Sequence, residues 1–213
     1  ELWAHDTSNA STWRVADIHS GTSGSNPGSY MSILVGDTLY FSANDGSSGH
    51  ELWAHDTSNA STWRVADITS GTGHGTPGAY MAILVGDTLY FDAYDANRGT
   101  ELWAHDTSNA STWHVANIFT VGDGSGGSNP GQYMSILVGD TLYFDANDGY
   151  TRELWAHDTS NASTWQVADI RSGTGDSQPG FYMEMLVGDT IYFSANDGSS
   201  GRELWAHDTS NAS

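Results

Sequence analysis

The chain has 213 residues, with 26 acidic side chains against six Arg and no Lys, for a formal charge of −20, and it has no Cys. Such a charge repels phosphate backbones and anionic lipid surfaces, so nucleic acid is not an expected partner. No apolar run approaches the ~20 residues of a membrane helix, so no membrane insertion is expected. Disulfide stapling is excluded, and the length is ample for a buried core.

The chain opens on Glu1 to Ser11, ELWAHDTSNAS, which returns letter for letter at Glu51, Glu101, Glu153 and Glu203. The expected organisation is a single repeat domain over 1–213, with units 1–50, 51–100, 101–152 and 153–202 and a partial unit 203–213. Near-identical tandem units of this length are supersecondary elements that bury their faces on one another. The chain starts without Met, which is expected of a processed product or of an excerpt from something longer.

One unit, in chain order, holds four β-rich runs. Run a is Tyr30 to Val35, and the turn Gly36-Asp37 delivers it to run b, Thr38 to Asn44, as a tight hairpin. Run c is Glu51 to Asp56, run d is Thr62 to Ile68, and a Gly/Ser/Pro-rich segment leads to the next run a. The expected fold is all-β: β-propeller-type blades, four-stranded antiparallel meanders repeated about four times. Leu39, Phe41 and Ala43 alternate with Tyr40, Ser42 and Asn44, so both faces of the sheet carry apolar groups and each needs a neighbouring sheet. Trp3 and Trp13 and their equivalents are expected to supply aromatic contacts between sheets. Run c occurs five times and the others four, so one c is surplus. Two arrangements remain open: a closed four-bladed ring with two identical strands in competition, or an excerpt of a longer open or superhelical array. Self-association through repeat stacking or strand exchange is expected of either.

NDGSSGxELWxxDT, VADIxSG, SNPG and VGDTLYFSAND together resemble the ELWxxDGT repeat, found in tandem in large, mostly secreted prokaryotic proteins. The resemblance covers all repeats and implies propeller blades and an extracellular or cell-surface location, but no particular activity. The chain departs from that pattern at Asp6-Thr7-Ser8, where the family has Asp-Gly-Thr, and this bears on the c to d turn alone.

Differences between copies gather in the b to c and d to a loops, on the face opposite the invariant VGDT and DTSNAST turns. Loop variation on a rigid scaffold diversifies recognition, and drift in exposed loops gives the same pattern. His19, His74, Tyr150 and Phe181 are the candidate ligand contacts. Asn9, Asn59, Asn109, Asn161 and Asn211 begin N-glycosylation sequons in the c to d turns; Asn and Ser are also simply good turn formers. His5, His55, His105, His157 and His207 recur once per unit, each without a second ligand nearby, and are expected to be exposed strand residues and not metal ligands. Asp145-Ala146-Asn147-Asp148-Gly149 opens like a calcium loop but lacks the terminal Glu spacing. Recruitment of cations such as calcium therefore rests on bulk acidity alone, and no cofactor is expected. Gly73–Gly78 and Gly122–Gly127 satisfy GxGxxG but open no helix. No nucleophile elbow, Cys, HExxH or Lys is present, so the chain is not expected to be an enzyme. The sequence points to an extracellular structural or adhesive scaffold, fibre- or matrix-forming, with a multivalent lectin-like propeller as the alternative.

Overall fold

A computed structural model describes residues 1–121 and 126–211. Among these residues, seventeen strands form five antiparallel sheets. Sheet I is β1 (Leu2–Asp6) and β2 (Ser11–Ala16). Sheet II is β3 (Ser32–Val35), β4 (Thr38–Asn44), β5 (His50–Asp56) and β6 (Ser61–Ala66). Sheet III is β7 (Ala82–Val85), β8 (Thr88–Asp95), β9 (Gly99–Asp106) and β10 (Ser111–Ala116); sheet IV is β11 (Ser135–Val138), β12 (Thr141–Asn147), β13 (Arg152–Asp158) and β14 (Ser163–Ala168). Sheet V is β15 (Glu184–Val187), β16 (Thr190–Asn196) and β17 (Arg202–Asp208), followed by a 3-10 turn at Thr209–Asn211. The expected meander a-b-c-d is the observed strand order, and the sheets are propeller blades.

Run b matches its strand to the residue. Run a begins at Ser32, two residues later than expected, because Tyr30 N–H is drawn off to the Ser42 hydroxyl at 3.0 Å. Run d ends at Ala66 and not at Ile68, because Ile68 N–H donates to the Glu51 carboxylate at 2.7 Å and leaves the ladder. Each complete sheet takes a and b from one sequence unit and c and d from the next, so the structural unit is offset from the written repeat.

Three equivalent cores lie between successive sheets. Met31, Tyr40, Leu52, Ala54 and Ile68 of sheet II pack on Leu89, Phe91 and Ala93 of sheet III. The same positions join sheets III and IV through Met81, Tyr90 and Phe144, and sheets IV and V through Met134, Tyr143 and Phe193. Alternation in β4 is therefore used on both faces, as expected. The array does not close: β1 pairs only with β2, β17 only with β16, and the outer face of sheet V is uncovered.

Two expectations need correction. His55, His105 and His157 are buried, because strand c lies inside the stack and its His side meets the preceding sheet; only His5, at the uncovered end, is exposed, and His207 is half-buried. Of the two Trp positions, Trp103, Trp155 and Trp205 are half-buried between sheets, and Trp53 is half-buried as well. Trp63, Trp113 and Trp165 stay exposed at the outer edge, and Trp3 is 60% exposed for want of a sheet before it.

Candidate functional site

The invariant turns share one face, as the Thr57 N–H to Asp37 carbonyl bond at 2.8 Å shows. In each c to d turn one Asp caps the backbone: Asp56 Oδ1 accepts from Ser58 N–H (2.8 Å) and its hydroxyl (2.6 Å), and Oδ2 accepts from Asn59 Nδ2 at 2.6 Å. Asn59 Oδ1 in turn accepts from Ser61 N–H at 2.9 Å. The turn then closes at Ala60 with φ +59°. The same bonds recur at Asn9, Asn109 and Asn161, while Asn211 keeps the bond to Asp208 and its sequon runs into 212–213, outside the described residues. All five sequon asparagines are exposed, and each commits its amide nitrogen to the Asp of its own turn. These bonds match the turn-forming reading of the sequon.

On the opposite face the variable residues pack against loop backbone, either of a b to c loop or of their own d to a loop. His19 lies against Gly46 of a b to c loop, where a Cβ would meet its ring at 2.4 Å, and Arg171 lies against Gly198 of another, whereas Thr69 and Phe119 lie against Gly73 and Gly126 of their own d to a loops. His74 is exposed but caps β5: its Nδ1 accepts from His50 N–H at 3.0 Å, and the two rings stand 5.4 Å apart. Tyr150 projects alone from the β12–β13 loop, 65% exposed. Phe181 sits in a cluster, 4.9 Å from the Tyr133 ring and 4.8 Å from the Tyr182 ring, with the Arg202 guanidinium 4.9 Å above it. The four candidate contacts thus occupy separate loops; Phe181 lies in a platform with Tyr133 and Tyr182, and His74 in a smaller ring cluster with His50 and Tyr30. The first GxGxxG, Gly73–Gly78, is a sheet-connecting loop with no helix; residues 122–125 of the second lie outside the described residues.

A row of buried carboxylates lies outside the residues that stood out in the sequence. Glu51, Glu101 and Glu153 are fully buried, and each receives the d to a loop: Glu101 accepts from Ile118 N–H and Phe119 N–H at 3.0 Å and from the Ser128 hydroxyl at 2.6 Å. Burial pushes the Glu51 carboxyl up to about 7 against the pull of its backbone donors, and raises Glu101 and Glu153 in the same way. Their invariance at the head of ELW, opposite a loop of orphan N–H groups, was the available signal. A second row varies: Ser42, Asp92, Asp145 and Ser194. Asp145, first residue of the segment that opens like a calcium loop but lacks its terminal Glu, is buried in β12, where Oδ1 accepts from Tyr133 and Met134 N–H and Oδ2 accepts from Arg152 at 2.5 Å. Asp92 makes the same backbone bonds, but Thr100 stands where the next sheet has Arg152. Its Oδ2 has no hydrogen-bond partner among the described residues, and burial pushes its carboxyl up to about 7.

The three buried histidines repeat one contact. Each Nδ1 shares a proton with the Thr across the c–d ladder at 2.8 Å, and His105 and His157 stack on Tyr40 and Tyr90 of the preceding sheet at 5.3 and 5.4 Å. Burial lowers the pKa of His105 and His157, so both are neutral at pH 7. Among the described residues no group of three or more His, Asp or Glu converges as a metal would need.

Comparison with solved structures bears on the fold. A puromycin hydrolase (13% identity over 83% of this chain, TM-score 0.54) resembles it, as do an oligogalacturonate lyase in complex with manganese (13%, 96%, 0.52) and the dipeptidyl peptidase 4 of Porphyromonas gingivalis (9%, 83%, 0.51). The likeness is one of blade architecture. The chain spans only 26%, 52% and 23% of those proteins. Some of these neighbours are enzymes, at identities too low to carry an activity across. No protein-family model matches the chain, and no curated protein is similar to it in sequence. No helix of the described residues is long and apolar enough to cross a membrane.

Proposed function

We propose that the chain is an extracellular structural or adhesive repeat scaffold, not an enzyme. The carrying observation is that the three contacts joining sheets II to V are built from the same residues: Tyr on His, Met on Gly, and a buried Glu holding the next loop. The residues that begin the variable d to a loops are spent on packing, His19 and Arg171 against a neighbouring b to c loop and Thr69 and Phe119 within their own loops. Such a design maintains a regular surface over any number of units, and the exposed sequon row supplies regularly spaced attachment points for glycans where the host has the machinery. Electron microscopy of the native polypeptide tests it: regular elongated or assembled particles are expected, and isolated discs that process a substrate would overturn it.

The lectin-like reading is favoured by one observation, the platform of Phe181, Tyr182 and Tyr133 under Arg202. Aromatic faces with a nearby guanidinium are suited to the C–H faces and hydroxyls of a sugar. On a glycan array the scaffold reading expects silence. Reproducible binding to one sugar class, weakened at least about tenfold in Phe181→Ala, would instead establish the lectin.

A further inference from the structure

Each internal interface leaves no half unmatched. Met31 seats on Gly78, Met81 on Gly131 and Met134 on Gly180. Tyr40 stacks on His105, Tyr90 on His157 and Tyr143 on His207. At the two ends of the array the same pairs are split. Gly28 and His55, on the front of sheet II, have no Met or Tyr, because sheet I consists of c and d strands alone. The space beside them is empty: one cavity of about 250 Å³ is lined by Leu2, Ala4, Leu39 and His55, and another of about 200 Å³ by Gly28, Leu39 and Phe41. Leu34 is 59% exposed on the same front, whereas its equivalent Leu137 is packed into a core. At the far end, Met183, Met185, Val187 and Tyr192 of β15, β16 and the residues before them are exposed; their counterpart Met31 is 4% exposed.

We propose that sheet I of one molecule completes sheet V of a second copy of this chain by strand exchange, β1 taking the place of β17 beside β16. This rests on the scaffold reading and names its self-association surface. Residues 1–11 and 203–213 are identical, so β1 can make the ladder that β17 makes from Glu203 to Asp208, in the register Tyr192 opposite Ala4 that now holds Tyr192 opposite Ala206, and only the Asn196–Arg202 pair has no counterpart. Unlike β17, β1 brings the missing fourth strand with it, as β2 is already paired to it. The exchange seats Met183 on Gly28 and Tyr192 on His55 of the second copy, filling both cavities. At the same time Trp3 and His5 move under Tyr143, where Trp205 and His207 now lie. Plain stacking of sheet V onto sheet I would achieve none of this, since sheet I has no b strand to present Leu, Phe and Ala. A repeat preceding Glu1 in a longer polypeptide would fill the position in cis; in the 213-residue chain the matching hairpin is that of a second copy. The contact is heterologous, so it propagates into head-to-tail chains.

Two surface variants test the interface without touching a buried residue. Met183→Asp with Met185→Asp places charges on the exposed hairpin, and Trp3→Asp does so on the exposed end strand. In sedimentation equilibrium from micromolar to millimolar concentration, the unaltered chain is expected to rise above 22.8 kDa toward dimers and longer oligomers. Each variant alone is expected to stay monomeric, its association weakened roughly a hundredfold or more by a charge buried without a partner. An equimolar mixture of the two is expected to give a dimer and stop there, because each supplies the end that the other lacks. An unaltered chain that stays monomeric throughout, variants that still associate, or a mixture that stays monomeric would each overturn the proposal. Association surviving in the variants would refute this interface yet leave the scaffold reading standing, whereas sugar binding by a monomeric chain would refute both.

Discussion

Asp92 and Asp145 occupy the same position in successive sheets and differ in one respect, the presence of Arg152 beside the second. Burial lifts the Asp92 carboxyl to about 7 from an ordinary value near 4, so the folded state resists its ionisation. The associated stability is fully present below pH ~4 and is lost as pH rises toward 7. Asp92→Asn keeps the acceptor for Tyr80 and Met81 N–H and removes the titration. Relative to the unaltered protein it is expected to gain about 2–4 kcal/mol between pH 4 and pH 8, read from urea unfolding at each pH. An equal pH slope in both proteins would contradict it. Thr100→Arg approaches the same site from the other side. Its guanidinium would reach Asp92 Oδ2 and the carbonyls of Gly75 and Thr76, as Arg152 reaches Asp145 and the carbonyls of Ser128 and Asn129. A gain of about 1–3 kcal/mol at pH 8, and less at pH 4, is expected from charge-assisted hydrogen bonds replacing a buried orphan.

At the scale of the element, the loops are fixed by contacts too close for a side chain. A Cβ on Gly99 would stand 1.3 Å from the Gly126 carbonyl oxygen, at φ +73°, where an L residue is already strained. Gly99→Ala is therefore expected to cost at least about 3 kcal/mol in chemical denaturation. The c to d turn runs the other way: Ala60 holds φ +59°, and Ala60→Gly is expected to raise stability by up to about 1 kcal/mol, with the strands unchanged by circular dichroism. Strands and turns were legible because both are local: the period of two in TLYFSAN, the Gly-Asp hairpin and the Ser/Asn turn act within a few residues. The burial of His105 and Glu101 was not, because each depends on a partner from elsewhere, Tyr40 of the preceding sheet or the N–H groups of a loop 17 residues on. A His between Ala and Asp reads as a surface residue until the sheet in front of it is placed. The candidate contacts fared alike: Phe181 gains meaning only beside Tyr133, 48 positions earlier in the chain but 4.9 Å away in space.

For the whole molecule, charge is the dominant long-range term. Against a net −20, the described residues hold four ion pairs, of which Arg152–Asp145 is the buried one, so most carboxylates face no cation. The c to d turns absorb part of this locally: each Asp there has its pKa lowered by the hydroxyl and N–H groups of the following Ser, and stays ionised. What remains is repulsion spread along the array, which salt screens over a Debye length of ~10 Å at 0.1 M. Raising NaCl from 10 to 300 mM is expected to raise the midpoint of thermal unfolding by several degrees, about 1–2 kcal/mol. The gain should level off above that, since further screening has little left to remove, whereas a contribution from strengthened apolar burial would keep growing with salt. Calcium chloride at matched ionic strength is expected to add nothing beyond screening, because no cluster of ligands among the described residues converges on a point. A sharp rise at submillimolar calcium would mean that the acidity is organised into a site, and would overturn the reading of the charge as a diffuse surface property of the repeat.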